Sequence, residues 1–132
     1  MSDPDDDLRA IGCSCLVRYD GAQVAIADAV SSEFSDLEEQ GQDRFRRIME
    51  LWCQGRSLTP EMMNRNEGRS TGNLRIEAFK AFKVRLYGFE VTFKKIRTFF
   101  IVIIDSAKKQ NKADKKILKA AKARADNLFG EI

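Results

Sequence analysis

The stretch FKVRLYGF, Phe82–Phe89, alternates apolar and polar residues. With a period of two, Lys83, Arg85 and Tyr87 share one face, opposite Phe82, Val84 and Leu86. Cations and a phenol on a rigid surface suit a phosphodiester. A guanidinium can bind phosphate through two parallel hydrogen bonds, and a phenol can stack on a base or move a proton. A neighbouring strand in register would add Arg75 to this face. Solvent-facing strands also carry Lys and Arg, so alternation alone leaves both readings open. A second group, Asp105, Lys108 and Lys109, stands where an apolar run ends. A third is the lysine-rich segment with Lys112, Lys115, Lys116, Lys119, Lys122 and Arg124. Few acids interleave there, so few i,i+4 ion pairs support it. Its like charges repel unless something negative is near, which favours a gripping surface over a merely solvated one.

Composition bounds the chemistry. The chain has 132 residues and is 43% hydrophobic and 33% charged, enough for one domain with a core. It contains no histidine, which removes every nucleophile scheme that needs a Ser–His or Cys–His pair. Cys13, Cys15 and Cys53 form no C-x-x-C pair, and reduced, mostly buried thiols are expected rather than a zinc site. No metal or other cofactor is implied. The longest apolar run, Phe99–Ile104, is far short of a bilayer span, and the acidic start has no signal-peptide core. The expectation is a cytoplasmic protein with no membrane partner. The net charge of +3 hides a polarity. Residues 1–40 hold ten acids and two bases, and the remainder twenty-one bases and ten acids, so −8 stands against +11. An acidic arm on a basic body suggests an anionic partner such as nucleic acid.

These residues must be held by a scaffold. Residues 1–10, with Pro4 among aspartates, are expected to be a disordered acidic arm, and 11–132 a single domain. Ile11–Tyr19 suggests a strand and Asp20-Gly21 a turn. The spacing of Ile26, Val30, Phe34 and Leu37 predicts a helix over about 22–39, ended by Gly41. Phe45, Ile48, Met49 and Trp52 predict a second, closed by Gly55. Residues 56–73 suggest a loop, without a phosphate-binding glycine motif. Then the period becomes two. The apolar set changes parity at Gly88, which suggests a bulge or bend there. Lys94-Lys95 marks a turn. TFFIVIID is apolar on both faces, as a central strand would be. A helix over about 112–129 follows, with Asn111 as its cap and Ile117, Ala120, Ala121 and Leu128 as its apolar stripe. The order is strand, helix, helix, three strands, helix. That implies an α+β fold: a small antiparallel sheet, a helical hairpin packed on one face, a C-terminal helix, and the other face open.

The segments FKVRLYGFEV and TFFIVIIDSAKKQNKADKKILKAAKAR together resemble the RelE/HigB toxin superfamily, especially its phage-derived branch. The residues that carry the likeness are Arg85-Leu86-Tyr87, Lys108-Lys109, Lys112, Ile117 and Ala120-Ala121. FSDLEEQGQDRFRRIMELW is similar to that family's helical hairpin, and the likeness spans about 13–128. It implies a RelE-like fold and a type II toxin that cuts mRNA without metal, often on the ribosome, and is held by a cognate antitoxin. Some proteins of this fold poison DNA gyrase instead, so a non-enzymatic or degenerate nucleic-acid-binding member is the alternative. Carried onto this chain, Arg85 would stabilise charge on the phosphorane, Tyr87 would contact substrate, and Lys108 and Lys109 would bind phosphate. A lysine or phenol of lowered pKa would take the 2′-hydroxyl proton. Lys83 joins this catalytic group, and Arg75, Lys112 and Lys116 join the RNA-binding one. Many members have a histidine where this chain has Asp105, which then becomes a candidate general base.

Overall fold

The computed structural model describes residues 3–106 and 114–132. Its centre is a six-stranded mixed sheet. In chain order the elements are α1 (Pro4–Ala10), β1 (Cys13–Tyr19), β2 (Ala22–Ala27), α2 (Asp28–Ser35), α3 (Glu39–Cys53), β3 (Met63–Asn64), β4 (Glu77–Ala81), β5 (Val84–Phe93), β6 (Ile96–Asp105) and α4 (Lys115–Glu131). Across the sheet the strands run β1-β2-β6-β5-β4-β3. All neighbours are antiparallel except β2 and β6, which run parallel. The class is α+β. The sheet is mixed, however, not purely antiparallel as expected.

Three two-residue turns build the hairpins, each with both residues at positive φ. They are Asp20-Gly21 (42° and 79°), Phe82-Lys83 (49° and 66°) and Lys94-Lys95 (50° and 69°). Positive φ at both positions matches strand twist in a two-residue hairpin, and Asn-Gly or Asp-Gly supplies it most readily. The first and third turns stand where the sequence suggests them. The second does not: residues 82–89 are not one strand but a turn followed by β5, because nothing in Phe-Lys announces positive φ.

Residues 22–39 also differ from expectation. Ala22–Ala27 is a strand that lies between β1 and β6, and the helix begins only at Asp28. Ile26, Val30, Phe34 and Leu37 do line one apolar layer, since β2 runs directly into α2. The spacing therefore read the layer and missed the change of backbone. Alanine has the highest helix propensity, but propensity is a small preference that pairing with two strands outweighs. Gly41 falls inside α3 rather than ending a helix. Gly55, at φ 73°, does close α3: its N–H bonds to Trp52 O at 3.0 Å, and the Arg56 N–H to Leu51 O at 3.0 Å.

Both faces of the sheet are covered, not one. Under α2 and α3 lie Val24, Ile26, Phe79, Leu86, Phe99 and Ile101, against Phe34, Phe45, Ile48, Met49 and Trp52. Under α1 and α4 lie Ala25, Ile76, Ala78, Tyr87, Phe89, Phe93, Phe100 and Val102, with Leu8, Ala121 and Ala125. This explains the parity change at Gly88. Leu86 faces one layer while Tyr87, Phe89 and Phe93 face the other, so β5 keeps its alternation and only the better-covered face changes. There is an irregularity at Gly88 too: Tyr87 pairs with Ile103 and Gly88 with Ile101, so Val102 is the extra residue.

The segment expected to be a disordered arm is helical over Pro4–Ala10. Asp3 caps it by accepting the Asp5 N–H at 2.9 Å, and Leu8 is fully buried. One apolar anchor and a capped, acidic first turn outweigh the charge repulsion. α1 packs on β1, at the far edge of the sheet from β4 and β5. α4 is capped by Asp114, whose carboxylate accepts the Lys116 N–H at 2.8 Å. The expected cap, Asn111, lies outside the described residues. No helix among the described residues is long and apolar enough to cross a membrane.

Candidate nucleic-acid interface

The tight β4–β5 turn sets the register that builds the site. It pairs Ala81 with Val84 and therefore Lys80 with Arg85, and the next strand places Asp105 opposite Arg85. Lys80, Arg85 and Asp105 thus form one row across three strands, at the end where β6 stops. Tyr87 lies in the next row, between Ala78 and Ile103.

Lys80, Lys83 and Arg85 line one cleft of about 440 Å3, with Pro60, Glu61 and Phe82. Lys83 is exposed at the turn and Lys80 half-buried. Arg85 is more enclosed, its side chain 13% exposed. Its Nη1 lies 2.7 Å from Glu67 Oε2, and the Glu67 side chain is 7% exposed. Glu67 is itself held: Asn64 Nδ2 donates to its Oε1 at 2.7 Å, and its N–H donates to Ile76 O at 2.7 Å. The loop that carries it is turned by Asn64 and Asn66, whose side-chain oxygens accept the N–H groups of Asn66 and Gly68. Asp126 of α4 fixes its far end, accepting from Ser70 Oγ at 2.6 Å and from the Gly72 N–H at 3.1 Å. The cation is thus preorganised by a carboxylate that a loop and a helix clamp.

Tyr87 does not behave as expected. Its side chain is fully buried and its hydroxyl makes no hydrogen bond of ordinary geometry among the described residues. Burial pushes the phenol up to about 12; the Glu67 carboxylate adds to this and the Arg85 guanidinium offsets it in part. A phenol of lowered pKa is therefore corrected: Tyr87 stays protonated and packs under the row of charges. Asp105 is buried, 8% exposed. Arg75 does not join the face of Arg85. It is exposed, bridges Arg69 outside β4, and lies near Glu77. Lys116 is exposed on the first turn of α4. Lys108, Lys109 and Lys112 lie outside the described residues.

The cysteines are free thiols. Burial pushes Cys13 up to about 12, with help from Asp28, and Cys53 up to about 11, so neither is a thiolate nucleophile at neutral pH.

Sequence reasoning missed Lys80 and Glu67. Lys80 becomes visible only when the Phe82-Lys83 turn fixes the register. The Asn- and Gly-rich run around Glu67 announces a loop, but not that its carboxylate turns inward.

A second buried acid lies across the sheet. Glu77 is 5% exposed, and its Oε2 lies 3.4 Å from Arg65 Nε without a hydrogen bond. Burial raises its pKa, with Glu90 adding and Arg65 opposing. A raised carboxyl pKa favours the folded state when protonated. This contribution is full below the unfolded pKa and is lost as pH rises through the folded one. Glu77→Gln is therefore expected to raise the melting temperature at pH 7 and leave it unchanged at pH 4. Thermal melts at the two pH values check this; a variant less stable at pH 7 contradicts it.

No protein-family model, curated protein or solved structure matches this chain.

Proposed function

We propose that this chain is the toxin of a type II toxin–antitoxin pair, an endoribonuclease that cuts mRNA during translation without metal and is restrained by a cognate antitoxin. The convergence of Lys80, Lys83 and Arg85 on one cleft carries this reading. The resemblance to the RelE/HigB superfamily supports it. The α+β class is compatible with it, although four strands, not the expected three, separate the helix pair from α4. In this reading the 2′-oxygen attacks phosphorus and the bond to the 5′-oxygen breaks. Asp105 accepts the 2′-hydroxyl proton, and Lys80 or water protonates the departing oxygen. Charge builds on the non-bridging oxygens, where the Arg85 and Lys83 cations lower the barrier. The resemblance adds Lys108, Lys109, Lys112 and Lys116 as further phosphate-binding residues.

A specific observation favours a second reading. Tyr87 is sealed in the core with a raised pKa, and the chain has no histidine, so the same cleft serves equally as a non-enzymatic grip on nucleic acid. Induced expression in a bacterium, with primer extension on an abundant mRNA, separates the two. Growth arrest with new 5′ ends, both lost in Lys80→Ala and Lys83→Ala, is expected of the nuclease. Arrest without new ends points to the grip. Arrest that persists in both variants contradicts the cleft itself.

A further inference from the structure

On the other side of the Phe82-Lys83 turn is a larger groove of about 770 Å3, between the α2–α3 junction and the β4–β5 turn. This is within the range of clefts that hold ligands, about 300–1,000 Å3. Its floor is apolar, with Leu37, Phe45, Phe82 and Val84, and among the described residues its rim carries Glu33, Asp36 and Glu38 against one cation, Lys83. Phe82 is 58% exposed and sits at φ 49°. A bulky aromatic residue in the left-handed region is unfavourable, and leaving its ring in water adds to the cost. An Asn or Gly there would relieve both. Gly41, inside α3, deepens the groove: a Cβ at this position would meet only the Phe82 ring, at 4.0 Å. Glycine within a helix costs about 1 kcal/mol relative to alanine. Local stability is thus forfeited on both walls of the same apolar trough.

We propose that this groove docks a peptide segment of a partner protein that carries a bulky apolar side chain flanked by Lys or Arg. The apolar residue packs between Phe82, Leu37 and Phe45, and the flanking cations meet Glu33, Asp36 and Glu38. Charge complementarity selects this occupant. Nucleic acid is repelled by the acidic rim, and an acidic peptide is repelled as well. The site shares the turn Ala81–Val84 with the basic cleft but opens toward α2 and α3, and it does not depend on whether that cleft cuts RNA.

The test uses the full chain and a twelve-residue peptide with two leucines set among four arginines, followed by fluorescence anisotropy. A control peptide has glutamates in place of the arginines. The arginine peptide is expected to bind and the control not to. Asp36→Lys with Glu38→Lys should weaken binding at least about tenfold, and added salt should weaken the wild type in the same sense. Gly41→Leu should abolish binding while raising the melting temperature, since it fills the trough and improves the helix. A merely structural role for these residues would not move binding and stability in opposite directions. Equal binding of the two peptides, no binding of either, or full binding by Gly41→Leu overturns the proposal. So does sedimentation showing a dimer that Gly41→Leu dissociates, because the occupant is then a second copy.

Discussion

Gly88→Ala is expected to prevent stable folding, with a loss of more than about 4 kcal/mol. A Cβ at Gly88 would lie 1.9 Å from the Phe100 carbonyl oxygen and 2.7 Å from Phe99 Cε1. The oxygen belongs to a central strand paired on both sides, so it cannot retreat without breaking the ladder. The irregularity opposite Val102 is where β6 shifts its register against β5. That shift sets Asp105 opposite Arg85, so this glycine positions the site as well as the core. Urea denaturation of purified Gly88→Ala checks the expectation. A variant that loses less than about 1 kcal/mol would show that the strands part there at little cost.

Glu67→Ala is expected to cost about 3–5 kcal/mol, the usual penalty for removing one partner of a buried ion pair. The bond from Arg85 is 2.7 Å long and the two side chains are 13% and 7% exposed, so water cannot readily replace the carboxylate. The loss falls on the loop as well, because Asn64 bonds the same side chain. Much of the penalty comes from a buried guanidinium that has lost this carboxylate rather than from the pair's net worth. Glu67→Leu combined with Arg85→Met should therefore be more stable than Glu67→Leu alone. Chemical denaturation of the two single variants and the double variant measures this. Strict additivity would show that the two residues act independently.

Parts of this architecture were legible in the sequence because they rest on local chemistry. Asp20-Gly21 and Lys94-Lys95 turn where their polarity suggests. The run Thr98–Asp105 is central, as its two apolar faces require. Phe45, Ile48, Met49 and Trp52 bury one face of α3. Other features depend on partners far along the chain. Ala22–Ala27 is a strand because β1 and β6 flank it, although its alanines suit a helix equally well. A helix at Pro4–Ala10 hinges on a pocket for Leu8 that composition cannot show. The candidate site divides in the same way. Arg85 and Asp105 stood out by type and position, whereas Lys80 and Glu67 enter only through register and loop path.

The role proposed for Lys80, Lys83 and Arg85 is to grip a nucleic-acid backbone. Its most direct test is the salt dependence of binding to an unstructured single-stranded RNA, for wild type and for Lys80→Ala with Lys83→Ala. Both lysines are outside the core, so the double variant should keep its fold. Each phosphate contact on a single strand contributes about −0.7 to the slope of log affinity against log salt. Weaker binding and a slope shallower by about 1.4 are expected in the double variant. Unchanged affinity and slope would contradict it and return these lysines to the role of a solvated surface.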